Sequence, residues 1–326
     1  MRSNQSPLMS SPHSQRIATA PTEARFSPGR SVDSLATEDD VFNALDRPPV
    51  RLALVGFGAI NRRVADIVSE CSPDRVQIVA IARRHSARPS ASPSGARLLS
   101  HPDELAEVRP DIVIEAASRS AVGEWGEAAL TTARSFIICS SSALTDQGLL
   151  DRLGAIAHEA GSQLVISPGA IAGTEALAAA ALSGFDRLTH TIIKPPAGWR
   201  KTPAETLIDL DRLDRPTPFF SGSARQAAER FPTNANVSVA TALFSGHGLD
   251  ATQVELVADP GAGTNRHLIE GVGRFGRISI EVDNRPFAEN PRSSQLAALA
   301  IAQLVKVEVA AVDRGWTRQA RARASL

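Results

Sequence analysis

The polar segment Asp259-Pro260-Gly261-Ala262-Gly263-Thr264-Asn265-Arg266-His267 carries the chain's strongest candidate for proton transfer, His267. Histidine titrates near neutrality and can exchange a proton with nitrogen or water. The Gly/Pro context predicts a loop between two strands, which would keep His267 out of the core; an ordinary surface histidine fits the same pattern. His247, between Gly246 and Gly248, competes for the role but reads equally well as part of a turn. Of the other histidines, His13 lies in a low-complexity terminus and His158 on a solvent-facing helix, while His85, His101 and His190 have no polar company in sequence. Lys194, Arg200, Lys201 and Arg292 are candidate anchors for carboxylates. Pro195 and Pro196 would hold Lys194 rigidly, and arginine offers a bidentate fork. Asn234 and Asn236 precede an apolar helix, where asparagine caps exposed amides. Asn236 could alternatively give its amide to a cofactor carboxamide.

A second kind of chemistry is written in the stretch from Arg51 to Val64. The apolar run at residues 52–55 reads as a strand buried on both faces. Gly56 permits a sharp turn, and Gly58 has no side chain to keep a diphosphate from the backbone. The amides of Ala59 and Ile60, opening the next helix, then face that diphosphate, where the helix dipole favours negative charge. Asn61 stands where the dinucleotide fingerprint has its third glycine, which predicts a slightly looser packing of helix on strand. At the end of the next strand, where an acid would bond the 2′-hydroxyl of NAD, the chain has Arg83 and Arg84. Two arginines there can accommodate a 2′-phosphate, so the site is read as able to take NADP without excluding NAD. Solvated loop arginines would look the same.

These residues need a scaffold. Strands are predicted at 52–55, 76–82, 111–117, 136–139 and 163–166, alternating with helices. That rhythm means a doubly wound parallel sheet with ligand at the carboxyl ends of its strands. The turn at 86–95 is rich in Ser, Pro and Arg. Ser167-Pro168-Gly169-Ala170-Ile171 follows the fifth strand and leads into an Ala-rich helix. Beyond it the rhythm changes. Strands at 189–193, 254–258 and 277–282, with loop and helix between, predict an α+β unit on an open, largely antiparallel sheet. The expected fold is therefore α/β: an N-terminal Rossmann domain (49–170), a second, smaller α+β domain for substrate and dimerisation (171–293), and a C-terminal helix (294–326) that packs back on the Rossmann domain and ends in a basic tail. Residues 1–48, rich in Ser, Pro, Arg and Thr, are expected to be a disordered extension.

Composition removes several alternatives. With 35 Lys+Arg against 35 Asp+Glu, nothing calls for nucleic acid or an anionic membrane. No apolar run approaches the length of a membrane span. Cys71 and Cys139 are far apart, support neither a disulfide framework nor a metal site, and are expected as small buried hydrophobes in a reducing compartment. A cytoplasmic location is expected; the early arginines and serines loosely match an organelle transit peptide, but a variable extension or a start codon placed too early is the simpler reading.

Taken in order, Gly56-x-Gly58-x-Ile60, Glu115-Ala116-Ala117, Ser167-Pro168-Gly169-Ala170-Ile171, Lys194-Pro195-Pro196, Phe231-Pro232-x-Asn234-x-Asn236-Val237, Asp259-Pro260 with Asn265-x-His267, and Asn290-Pro291-x-Ser293-Ser294 resemble the L-aspartate dehydrogenase family over about residues 50–310. The resemblance implies a homodimer that oxidises L-aspartate with NAD or NADP to iminosuccinate, which yields oxaloacetate and ammonia or feeds NAD biosynthesis. It places the catalytic histidine at His267. It places the family's cofactor-contacting alanine and asparagine at Ala170 and Asn236. With the readings above, the candidate cofactor contacts are Gly56, Gly58, Ala59, Ile60, Arg83, Arg84, Ala117, Ala143, Ala170 and Asn236, the candidate substrate contacts Lys194 and Asn265, and no metal is expected. Asn61, Arg119 after the third strand, and the N-terminal extension depart from the pattern. A homoserine or dihydrodipicolinate-type reductase, or a non-catalytic NADP-binding sensor, would share much of this logic.

Overall fold

A computed structural model of the chain describes residues 48–83, 93 and 95–313. The expected extension, Arg84, His85 and the basic tail lie outside them, as does most of the turn at 86–95.

The first sheet is formed by β1 (Val50–Val55), β2 (Val76–Ala82), β3 (Arg97–Leu99), β4 (Ile112–Glu115), β5 (Ser135–Ile138) and β6 (Gln163–Ile166), all parallel, in the order β3-β2-β1-β4-β5-β6. The order reverses between β1 and β4, which opens a crevice at their carboxyl ends. Alternate residues of β1 point to opposite faces, and each face has its own core. Leu52 and Leu54 pack with Val64, Ala65 and Val68 of α1 (Ala59–Cys71), while Ala53 and Val55 share a core with Val122, Trp125 and Ala129 of α2 (Arg119–Thr132) and Leu153 of α3 (Gln147–Ala160). The short β3 has only three residues, too few for a periodicity to show in sequence.

Gly56 takes φ 82°, and a Cβ there would lie 2.6 Å from Ala117 Cβ and 2.9 Å from Ala117 Cα. Both the backbone conformation and the space therefore require glycine. Gly56→Ala is expected to cost about 1–3 kcal/mol in urea unfolding and to weaken dinucleotide binding measured by fluorescence. An unchanged midpoint with unchanged affinity would refute this. Asn61 corrects an expectation. It is fully buried, and its Nδ2 donates to Val55 O (3.2 Å) and Gly56 O (2.8 Å). Rather than loosening the turn, the amide clamps helix to strand.

The chain then passes through α4 (Thr174–Ala181) into a second sheet. Its strands are β7 (Phe185–Lys194), β8 (Thr217–Ser223), β9 (Gln253–Ala258), β10 (Asn265–Gly273) and β11 (Gly276–Asn284), in the order β11-β10-β7-β9-β8. Only β7 and β9 are parallel. The expected loop ending at His267 stops at Asn265, where β10 begins. β8 also replaces part of a stretch read as loop and helix, because Pro218 sits where the ladder shifts register and so hides the strand pattern. Helix α5 (Asn236–Phe244) covers the sheet's inner face: Ala240 packs with Leu188 and Ile269, and Val239 with Ile192, Val254 and Leu256. A two-stranded hairpin, β12 (Pro286–Phe287) with β13 (Asn290–Ser294), leads to α6 (Gln295–Asp313). Ala298, Ile301, Ala302, Val305 and Val309 of α6 enter the same core as Leu52, Leu54 and α1. Among the described residues, no helix is long and apolar enough to cross a membrane.

Candidate active site

A cavity of about 1170 Å³ lies over the carboxyl ends of β1, β4 and β5, lined by Gly58, Ala59, Ile60, Ala117, Ala143 and Asn236 among others. Helix α1 starts there without a side-chain cap, so its first amides are left for an anion, and a Cβ at Gly58 would meet nothing within 4 Å. The residues present therefore fit a dinucleotide diphosphate. Glu115 ties the rim together: Oε1 accepts from Ala117 N (2.7 Å), Ser118 N (2.9 Å) and Ser140 Oγ (2.8 Å), and Oε2 from Ser140 N (3.0 Å). Burial pushes this carboxyl's pKa up, against hydrogen bonds that favour its charged form. Arg119 is drawn to Thr145 Oγ1 at 2.6 Å. Arg83 stands at the end of β2 with its guanidinium 5.6 Å from the centre of the Phe57 ring.

A smaller compartment of about 70 Å³ adjoins the first, sharing Ile60, Cys139, Thr233, Asn236, Arg292 and Ser293 with it and adding Ala170, Lys194 and His267. The second sheet supplies its polar wall by simple alternation. On β7, His190, Ile192 and Lys194 face inward; on β10, Asn265, His267 and Ile269 do. Register pairs His267 with Ile192 and Ile269 with His190, so the two histidines are diagonal neighbours on one face. His190 Nε2 lies 3.2 Å from His267 Nδ1, and Thr241 Oγ1 of α5 lies 3.0 Å from His190 Nδ1.

His267 is only 2% exposed, so it is a core residue after all. Burial, then His190, then Lys194, holds its pKa well below the usual 6.5, and burial alone takes His190 down to about 3. Lys194 is 3% exposed. Its Nζ donates to Arg292 O at 3.1 Å and lies 5.5 Å from the centre of the Trp199 ring. Burial, with Arg292 adding to it, lowers Lys194 from 10.5 to about 8. No ion pair involves it among the described residues, so a buried cation faces the compartment with a carbonyl and a ring for company, a setting that favours an anion.

Other expectations are revised. Asn265, a candidate substrate contact, donates from Nδ2 to Pro291 O (3.2 Å) and Ser294 Oγ (3.2 Å), holding the β13 hairpin against the site, while its buried Oδ1 has no partner among the described residues. Neither Asn234 nor Asn236 caps α5: its N-cap position is Ala235, and no side chain caps it. Asn234 donates to Gly198 O at 3.0 Å, and Asn236 Oδ1 accepts from Ser142 N at 3.1 Å, which pins Asn236 where the compartments meet. Ala170 O accepts from Asn284 Nδ2 at 2.8 Å. Arg200 is exposed and paired with Asp211, and Lys201 is exposed in a left-handed turn, so neither joins Lys194. His247 remains at its turn, edge-on to Phe185. His101 is exposed and accepts from Asp103 N, and Cys71 is exposed, since it falls on the outer face at the end of α1. His190 and Thr241 were not singled out, although His190 stands at the i−4 position from Lys194, the spacing that shares a strand face.

Residues 56–167 match the family described as homoserine dehydrogenase, NAD binding domain, and residues 175–307 match aspartate dehydrogenase, C-terminal. A Rossmann crevice opening onto a buried histidine and lysine on a second sheet defines a two-domain, nicotinamide-dependent dehydrogenase. The L-aspartate dehydrogenase of Brucella anthropi is 45% identical over 260 residues, 79% of this chain and 96% of that one; the enzyme of Serratia proteamaculans is 41% identical over 256 residues, 78% and 95%. The chain belongs to the L-aspartate dehydrogenase family. The fold agrees with the crystal structure of aspartate dehydrogenase from Thermotoga maritima, at a TM-score of 0.60 and 22% identity, over 79% of this chain and 95% of that one.

Proposed function

We propose that this chain oxidises L-aspartate with NAD or NADP to iminosuccinate, which water converts to oxaloacetate and ammonia. The observation that carries the reading is a buried histidine beside a buried cation in a compartment that opens onto the dinucleotide crevice. Lys194 binds a substrate carboxylate, with the exposed Arg292 at the mouth available for the second. His267 takes a proton from the substrate ammonium, freeing the nitrogen lone pair to form the C=N bond as the Cα–H bond breaks. A bound nicotinamide supplies the acceptor for that hydride. Once that proton has passed to solvent, the neutral His267 assists water as it adds to the imine, and ammonia leaves. Orientation carries much of the rate, since Asn236 and Ala170 fix the wall against which the reacting carbons meet.

Initial rates with L-aspartate, D-aspartate, L-glutamate and L-homoserine, each with NAD and with NADP, test the proposal. Turnover confined to L-aspartate supports it. Turnover of homoserine alone, or tight NADPH binding with no turnover of any substrate, overturns it. Arg83, at the ribose end, is expected to make NADP a competent cofactor. Arg83→Ala should raise the KM for NADP about tenfold or more while sparing NAD, the scale of one charge-assisted hydrogen bond; equal effects on both would remove Arg83 from that role. The same proposal includes a homodimer, readable by light scattering, working in the cytoplasm and able to supply imine to NAD biosynthesis. Its support is the family's sequence pattern.

A further inference from the structure

The contacts behind His267 form a chain whose protons can be counted. Thr241 Oγ1 lies 2.9 Å from Val237 O and 3.0 Å from His190 Nδ1. A carbonyl oxygen only accepts, and a hydroxyl has one proton to give. If that proton went to His190, two oxygens would sit 2.9 Å apart with nothing between them. The hydroxyl therefore donates to Val237 O and accepts from His190 Nδ1–H. A neutral imidazole carries one N–H, so His190 Nε2 is a bare acceptor. Across the 3.2 Å contact it must receive Nδ1–H from His267. His267 is then left with an unprotonated Nε2 on the side away from His190, in the wall of the substrate compartment.

We propose that His190, anchored by Thr241, is a positioning residue that holds His267 in its Nδ1–H tautomer and so presents the Nε2 lone pair to the substrate. Full burial of both rings keeps them neutral, as the count requires. The role rests on the aspartate dehydrogenase reading, because only a base needs that tautomer. His190 touches no substrate in this scheme. When His267 takes a proton at Nε2, the Nδ1–H bond to His190 persists and steadies the cation. Nothing else in the compartment fixes the ring: His267 is bonded to no other side chain among the described residues.

Two variants separate positioning from packing. His190→Leu fills the space without an acceptor. His190→Gln offers Oε1 to His267 and Nε2–H to Thr241. The leucine variant is expected to lose about 10²-fold in kcat, with the KM for L-aspartate within threefold of the parent, and the glutamine variant to recover most of that loss. A wrong tautomer costs on the order of 10⁴-fold in the serine-protease triad, which marks the upper end. Long-range 1H–15N correlation on the full-length, histidine-labelled protein without substrate reads the tautomer directly, with His267→Ala assigning the signal. A protonated Nδ1 and bare Nε2 at His267 in the parent and the glutamine variant, lost in the leucine variant, is the expected result. A protonated Nε2 in the parent, or equal rates for the two variants, overturns the proposal. The spectrum stands whatever the substrate proves to be, so silence on L-aspartate would sink the functional reading and leave the tautomer to be judged separately.

Discussion

His267→Ala is expected to lower kcat for L-aspartate oxidation by about 10²–10⁴-fold, the range that a positioned general base contributes. No neighbour can replace it: His190 holds no proton-accepting nitrogen toward the substrate, and Lys194 is a cation near neutrality. Dinucleotide affinity should stay within threefold, because the crevice is lined by other residues. Removing a buried ring also strips His190 of its donor, so some stability will be lost, and the comparison should be made well below the melting temperature. Added imidazole, small enough to enter the vacated space, should restore part of the rate. A variant with kcat within threefold of the parent would remove His267 from the mechanism.

The second large effect concerns Lys194. Lys194→Met keeps length and apolar contact with Trp199 but removes the charge, which would leave a substrate carboxylate buried without its partner. The expected outcome is a rise of about 10²–10³-fold in the KM for L-aspartate, the scale of 2–5 kcal/mol for breaking such a pair. The same change should stabilise the substrate-free protein. Burial lowers the ammonium from 10.5 to about 8, so at neutral pH the folded state carries a desolvated cation, a cost on the order of 3 kcal/mol that methionine does not have. The sign is fixed by linkage. Between about pH 8 and 10.5 the unfolded chain binds the proton and the folded one does not, so parent stability gains with rising pH from this group. The advantage of Lys194→Met should therefore shrink across that window, as melting temperatures of the pair would show. A variant less stable than the parent at pH 7, with KM unchanged, would contradict both halves.

Much of this site can be read in the sequence, for reasons visible in particular residues. The fingerprint around Gly56 was legible because a strand buried on both faces, a turn and a helix follow each other without interruption between Val50 and Cys71. Lys194, Asn236 and His267 were legible as types in a pattern. Their partners were not, since His190–His267 and Thr241–His190 join residues separated by 77 and 51 positions. Glycine and proline before His267 masked the start of β10, and so a core histidine looked like a loop residue. Had the inner-face alternation of His190, Ile192 and Lys194 been set beside Asn265, His267 and Ile269, the polar stripe would have shown itself as two strands with the wrong residues facing inward. Asn61 was misjudged for a related reason: the pattern records a lost glycine, while the gain of two bonds to Val55 O and Gly56 O depends on geometry.

Helix α6 has a bearing on time as well as on packing. Its residues Ala298, Ile301, Ala302, Val305 and Val309 complete the face of β1 and α1 that forms the dinucleotide turn. On the ribosome, β1 through β6 are made well before α6, yet that face stays open until α6 has emerged. At about 5–20 residues per second, the delay is on the order of ten seconds. During that interval Val64, Val68 and the outer side of β1 are uncovered apolar surface, the kind that chaperones bind. The nucleotide-binding half thus cannot mature as an independent early unit, and a nascent chain stalled before residue 295 would display a Rossmann sheet with one side unfinished.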